Sequence, residues 1–151
     1  MAFYAKRSKS NFEPAPQGLH HAVCCDVVDL GVQETKFGKK EMLQIRWQLE
    51  ERMEANGRYL VTRRYTSSTH EKAQLWKDIP SWLGKIFTNQ DREAFDLEHL
   101  IGQNCQLQVM HKKGNDGSTY AQVQTIVPSN TEDKLSVEDY IRVIDREANA
   151  A

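Results

Sequence analysis

The chain has 151 residues, 39% of them hydrophobic and 27% charged, which suits a single domain with one small core. No apolar run approaches the ~20 residues a membrane helix needs. The basic N-terminus has no apolar segment behind it, so neither a membrane span nor a secretory leader is expected. The formal charge of −1 is unevenly divided: residues 1–130 hold 17 Lys and Arg against 15 Asp and Glu, and residues 131–151 hold 3 against 6. Such a balance neither demands nor excludes a nucleic-acid partner, so the placement of the basic residues decides. Three cysteines, two of them the neighbours Cys24 and Cys25, fit reduced thiols in a cytoplasmic protein better than a disulfide framework.

Residues 1–18, with Pro14, Pro16 and Gly18, read as an extended arm. Residues 19–30, rich in β-branched side chains, predict a first strand with a bulge or bend at Gly31. The polar segment 33–40 reads as a hairpin connection around Gly38. Residues 42–49 alternate strictly, with Leu43, Ile45, Trp47 and Leu49 on one face, and predict a second strand. A charged turn over 50–57 leads to a third strand over 58–66. There Arg63 and Arg64 are neighbours, so one of them must share a face with core residues.

From Ser68 to Phe87 the apolar positions Leu75, Trp76, Ile79, Trp82, Leu83 and Ile86 take helical spacing, with Ser68 or Thr69 as candidate cap and Pro80 as a break or kink. Residues 88–95 read as a polar connection. Asp96 can cap a short helix closed by Gly102. Residues 105–111 and 119–127 predict a final hairpin around the glycines at 114 and 117, with Cys105, Leu107, Val109, Ala121, Val123 and Val127 inward. Residues 129–151 read as a polar linker and an acidic helix starting at Ser136, where Ser136 and Asp139 have capping-box spacing.

The order β-β-β-α-β-β is that of the five-stranded oligonucleotide/oligosaccharide-binding (OB) barrel, here over residues 19–128 with an arm (1–18) and an acidic, partly helical tail (129–151); the alternative is another small β-barrel or an open α+β sheet. In that barrel the strand 2–3 face and the loops joining strands 1–2 and 4–5 hold the ligand. The basic and aromatic residues cluster there. The first loop carries Lys36, Phe37, Lys39 and Lys40; strand 2 carries Arg46; strand 3 carries Arg63, Arg64 and Tyr65; the last hairpin carries Lys112, Lys113 and Tyr120. Lys and Arg capture phosphates and exposed rings stack bases, which is the chemistry of single-strand binding.

Several segments add a resemblance: Asp29-Leu-Gly31, Thr35-Lys-Phe-Gly38, Arg64-Tyr-Thr66 followed by Ser68, Glu71-Lys72, Trp82-Leu-Gly-Lys85, Phe87-Thr88, Phe95-Asp-Leu97, Leu100-Ile-Gly102, and Cys105 before His111. Together they resemble a family of phage-type single-stranded DNA-binding proteins with an OB-fold. The chain departs from that family at Ala73, where serine is more usual, and at Leu83, where arginine is. The resemblance implies largely sequence-independent binding and protection of single-stranded DNA in phage-type replication or recombination, in the host cytoplasm, with no enzymatic activity and no cofactor.

Other chemistries fit less well. His20, His21, Cys24, Cys25, Cys105 and His111 lack the paired spacing of a zinc knuckle. Asp26, Asp29 and Glu34 bring no base for nuclease work, and no nucleophile or phosphate-cradling motif is present. Trp47, Trp76 and Trp82 lie on apolar faces and read as core. A protein-interaction or structural accessory domain without DNA contact is the alternative, with the lysine loops simply solvated. The acidic segment 131–151, with Leu135, Tyr140, Ile141 and Ile144 on one side of its expected helix, suits docking to replication or recombination proteins. A homo-oligomer is compatible with everything above.

Overall fold

The computed structural model describes residues 14–53 and 57–150, the last four by backbone alone. Five strands, β1 (Gly18–Thr35), β2 (Gly38–Arg52), β3 (Arg58–Thr66), β4 (Asn104–Lys113) and β5 (Thr119–Pro128), form one antiparallel sheet in the order β3-β2-β1-β4-β5. Helices α1 (Leu75–Leu83) and α2 (Asn89–Ala94) and a 3-10 turn at Leu97–Leu100 cross from β3 to β4, and α3 (Val143–Ala150) follows the sheet.

Period-two patterning drives β2: Leu43, Ile45, Trp47 and Leu49 are buried in the core, as the alternation requires. β1 is long enough to pair with both neighbours because it bends at two bulges, between Cys24 and Asp26 and between Asp29 and Gly31. Gly31 supplies the second with a φ of +67°. β3 resolves its paired arginines. Val61, Arg63 and Tyr65 face inward, and Thr62, Arg64 and Thr66 are exposed. In β5 a bulge at Gln124 shifts the pattern, so Ile126 and not the expected Val127 is the second buried residue. The edge strands β3 and β5 approach each other, and the Arg63 guanidinium donates to the Val123 carbonyl at 3.2 Å.

The expected helix over 68–87 is shorter at both ends. Ser68 does not cap it: the Ser68 carbonyl takes the Trp76 indole N–H at 2.7 Å within a turn that precedes α1. Pro80 lies inside α1 without ending it, because burial of Trp76, Ile79 and Trp82 outweighs one lost backbone bond. Trp82 meets Trp47 at 5.7 Å between ring centroids, and Ser81 Oγ donates to the Ile126 carbonyl, fixing α1 against β5. The segment 88–95 is not a plain connection. Thr88 and Asp91 form a reciprocal capping box that starts α2. Asp96 caps the 3-10 turn by accepting from the Glu98 N–H, as expected of it.

Residues 1–13 of the expected arm lie outside the described residues, as do residues 54–56 of the β2–β3 turn. Where the arm enters the sheet, His111 Nε2 donates to the Ala15 carbonyl and His20 Nε2 to the Pro16 carbonyl, both at 2.7 Å.

The tail corrects the expectation most sharply. No helix begins at Ser136; residues 135–142 run as an irregular strap across the outer face of the sheet, and α3 starts only at Val143. The side-chain amides of Asn104 and Gln48 each grip the strap backbone twice, at Leu135 (2.7 and 3.0 Å) and at Glu138 (2.9 and 2.6 Å). Arg58 donates to the Ser136 carbonyl, and Arg52 and Arg58 both pair with the Glu138 carboxylate. Those contacts take the backbone groups a helix would need. Asp139 adopts a φ of +44°, a left-handed conformation that aspartate tolerates.

Candidate nucleic-acid interface

The β1–β2 ladder continues beyond the ends of β3 and β4, so residues 32–40 form a ribbon with no strand of the described residues on either side. Its tip is the two-residue turn Lys36–Phe37. Thr35 Oγ1 donates to the Gly38 carbonyl at 2.7 Å and accepts from the Phe37 N–H at 3.1 Å, while Gly38 takes a φ of +100°. This holds Phe37 outward at 80% exposure, with the Lys36 ammonium 5.7 Å from its ring centroid. Lys39 and Lys40 lie on paired strand rather than in the turn. Lys39 stands opposite Glu34 and Lys40 opposite Gln33, so the two ammoniums leave from opposite faces.

Lys40 continues the outward row Met42, Gln44 and Arg46 on β2. Across from that row on β3 stand Thr66, Arg64 and Thr62. Arg64 is exposed and makes no hydrogen bond or ion pair with a described residue. Arg46 is only half open: its Nε donates to Gln44 Oε1 and a terminal nitrogen reaches the Tyr140 hydroxyl at 3.4 Å, under the strap.

Two expected site residues are instead structural. Tyr65 is 2% exposed and donates to Asp78 Oδ2 at 2.7 Å, so no base can reach its ring. Burial, with the Asp78 carboxylate beside it, pushes its phenol well above the ordinary range. Arg63 pairs with the same carboxylate at 3.2 Å. The core-facing register of both residues explains the correction.

Lys112 and Tyr120 are cross-strand partners at the β4–β5 hairpin, where Lys112 and Lys113 are exposed and Tyr120 is 46% exposed. The hairpin runs past Gly18, the start of β1, whereas Lys36 and Phe37 lie at its other end. The two lysine-rich loops, expected to flank one groove, extend from the two ends of β1, which bends at two bulges between them. The ribbon, the outward β2 row and Arg64 follow one another along paired strands, and the β4–β5 tip carries the second cluster.

The sequence reading missed the residues that hold the strap. Asp26 is buried and accepts from the Tyr140 hydroxyl (2.8 Å), Arg142 Nε (3.0 Å) and the Val143 N–H (3.0 Å). Burial opposes its charge, but these three donors outweigh it and hold its carboxyl below the usual range. Burial and the bond to Asp26 push the Tyr140 phenol up to about 12. Arg142 also grips Glu98 with two nitrogens, each at 2.8 Å. No local pattern signals these contacts, which join residues far apart in sequence.

The three cysteines are buried free thiols, and burial pushes Cys25 up to about 12 and raises the other two. Among the described residues no group of three or more His, Cys, Asp or Glu is placed to hold a metal ion. No described helix is long and apolar enough to cross a membrane. Compared with family models, curated proteins and solved structures, the chain matches none of them.

Proposed function

We propose that the protein binds single-stranded DNA with little sequence preference, capturing phosphates with lysine and arginine and stacking bases on exposed rings. The observation that carries this reading is the ribbon tip. A solvent-facing phenylalanine flanked by Lys36, Lys39 and Lys40, leading onto an Arg64 with no partner among the described residues, costs solubility and contributes nothing to the core. We read the sheet as an OB barrel. Its β-β-β-α-β-β order, the central place of β1 between β2 and β4, and the approach of β3 to β5 all support that reading. The resemblance adds a setting in phage-type replication or recombination and a binding role without catalysis.

A second reading rests on the tail. Ile141 and Ile144 are more than half exposed beside Asp139 and Asp145, an apolar pair with acidic flanks that suits a protein partner. Fluorescence anisotropy with labelled dT oligomers separates the two. Strand binding that prefers single strands to duplex supports the first; no binding at low salt leaves only the second.

A further inference from the structure

A cleft of about 500 Å³ opens beside the end of β3, lined by Ser67, Ser68, Thr69, Trp76, Arg92 and Phe95, among others. Arg92, on α2, is 8% exposed. Its Nε donates to the Thr69 carbonyl at 2.9 Å, one terminal nitrogen to the Phe87 carbonyl at 3.0 Å, and the other to Asn89 Oδ1. All three acceptors are neutral, and no carboxylate of a described residue forms an ion pair with it. A guanidinium carries five N–H donors, so two remain without an acceptor among the described residues, and a cation this buried ordinarily has an anionic partner.

The rest of the lining suits a phosphate and a ring. The Ser67 and Thr69 hydroxyls have no partner among the described residues. Ser68 Oγ accepts from the His70 N–H and keeps its own proton to donate. The Phe95 ring stands nearly perpendicular to those of Trp76 (6.0 Å, 86°), Phe87 (5.5 Å, 83°) and His99 (6.2 Å, 84°), and it remains half open. Glu93, exposed, is the one carboxylate among the described lining residues. The cleft also continues the open surface: Arg64 and Thr66 face outward on β3, and the chain passes directly from Thr66 into Ser67–Thr69.

We propose that this cleft is a nucleotide subsite, with a phosphate on Arg92 and the Ser67 and Thr69 hydroxyls and a base against Phe95. The assignment rests on the strand-binding reading and extends the bound path beyond β3. A ring accepts any base, so the subsite adds affinity without reading sequence.

The test compares Thr69→Glu with Thr69→Gln in the full chain, since this exposed position changes charge at the cleft with little effect on folding. Glu should weaken dT-oligomer binding about tenfold relative to Gln, the loss of one charge-assisted hydrogen bond. It should also reduce the steepness of log K against log salt by about 0.7. Independently, thymidine 5′-monophosphate added to ¹⁵N-labelled protein should move the Arg92 Nε–H and Trp76 Nε1–H resonances. Equal oligomer affinities for the two variants, or resonances that stay fixed, overturn the assignment. If wild type binds no oligomer, the strand-binding reading falls and the monophosphate titration alone judges the cleft. If wild type binds and the variants match, only the cleft falls.

Discussion

An aromatic ring contributes to strand binding only where a base can reach its face, and that separates Phe37 from Tyr65. Phe37 sits on a turn fixed by Thr35 and Gly38, in open water. Phe37→Ala should weaken dT-oligomer binding by about 1–3 kcal/mol, the usual contribution of one stacking ring. Thermal unfolding should shift by no more than ~0.5 kcal/mol. Tyr65→Phe should show the reverse: a loss of ~1 kcal/mol in denaturant unfolding for the bond to Asp78, and unchanged affinity. A Tyr65→Phe variant that folds as stably as wild type but binds DNA poorly would overturn the burial argument. Asp26 makes a pH prediction. Its folded carboxyl is held below its unfolded value, so its stabilisation is complete above the ordinary aspartate pKa of about 3.9 and is lost as pH falls through the folded value. The stability gap between wild type and Asp26→Asn, measured by urea unfolding, should be widest near neutrality and close below about pH 4; a constant gap contradicts it.

Among the elements, the strap carries the largest stability claim. Val23 lies in register between Asn104 and Gln48, the two residues that grip the strap, and it is fully buried although it is no part of the inner core cluster. Removing residues 135–151 should expose it and leave Asp26 without its donors. A loss on the order of 3 kcal/mol or more is expected, as when one partner of a buried charge pair is deleted. A truncated chain that melts like wild type would show that the strap is merely laid on the surface. This element also shows where sequence reading stops. β2 was legible because strict alternation is a local property, whereas β3 was legible in its extent but not in its register, its alternation being poorer. The strap was not, because Ser136 and Asp139 have the spacing of a capping box and only distant side chains, Arg58 and Gln48, take the backbone groups it would have used. α2 failed in the other direction. Its capping box, Thr88 with Asp91, was in plain view, but five polar residues and one alanine gave no periodicity to notice. The candidate site was half legible: residue types and the ribbon were read from composition and spacing, whereas the inward turn of Arg63 and Tyr65 depends on register.

At the scale of the whole molecule, the account predicts a binder whose affinity comes from phosphates and rings rather than from base edges. Affinity for dT oligomers should fall as salt rises, with a slope of about −0.7 per phosphate contact on the logarithmic plot. The ribbon and the outward face of β3 should dominate, since Phe37 is 80% exposed against 46% for Tyr120. Charge reversal at Lys36 and Lys40 should therefore cost more affinity than reversal at Lys112 and Lys113. The most direct measurement is an anisotropy titration of a labelled dT oligomer with wild type and with Lys36→Glu/Phe37→Ala/Lys40→Glu, alongside a duplex of equal length. The account predicts salt-sensitive binding by wild type, preference for the single strand, and a loss of at least about tenfold in the variant with its melting temperature retained. Equal binding by the two proteins, or tighter binding to duplex, would contradict it.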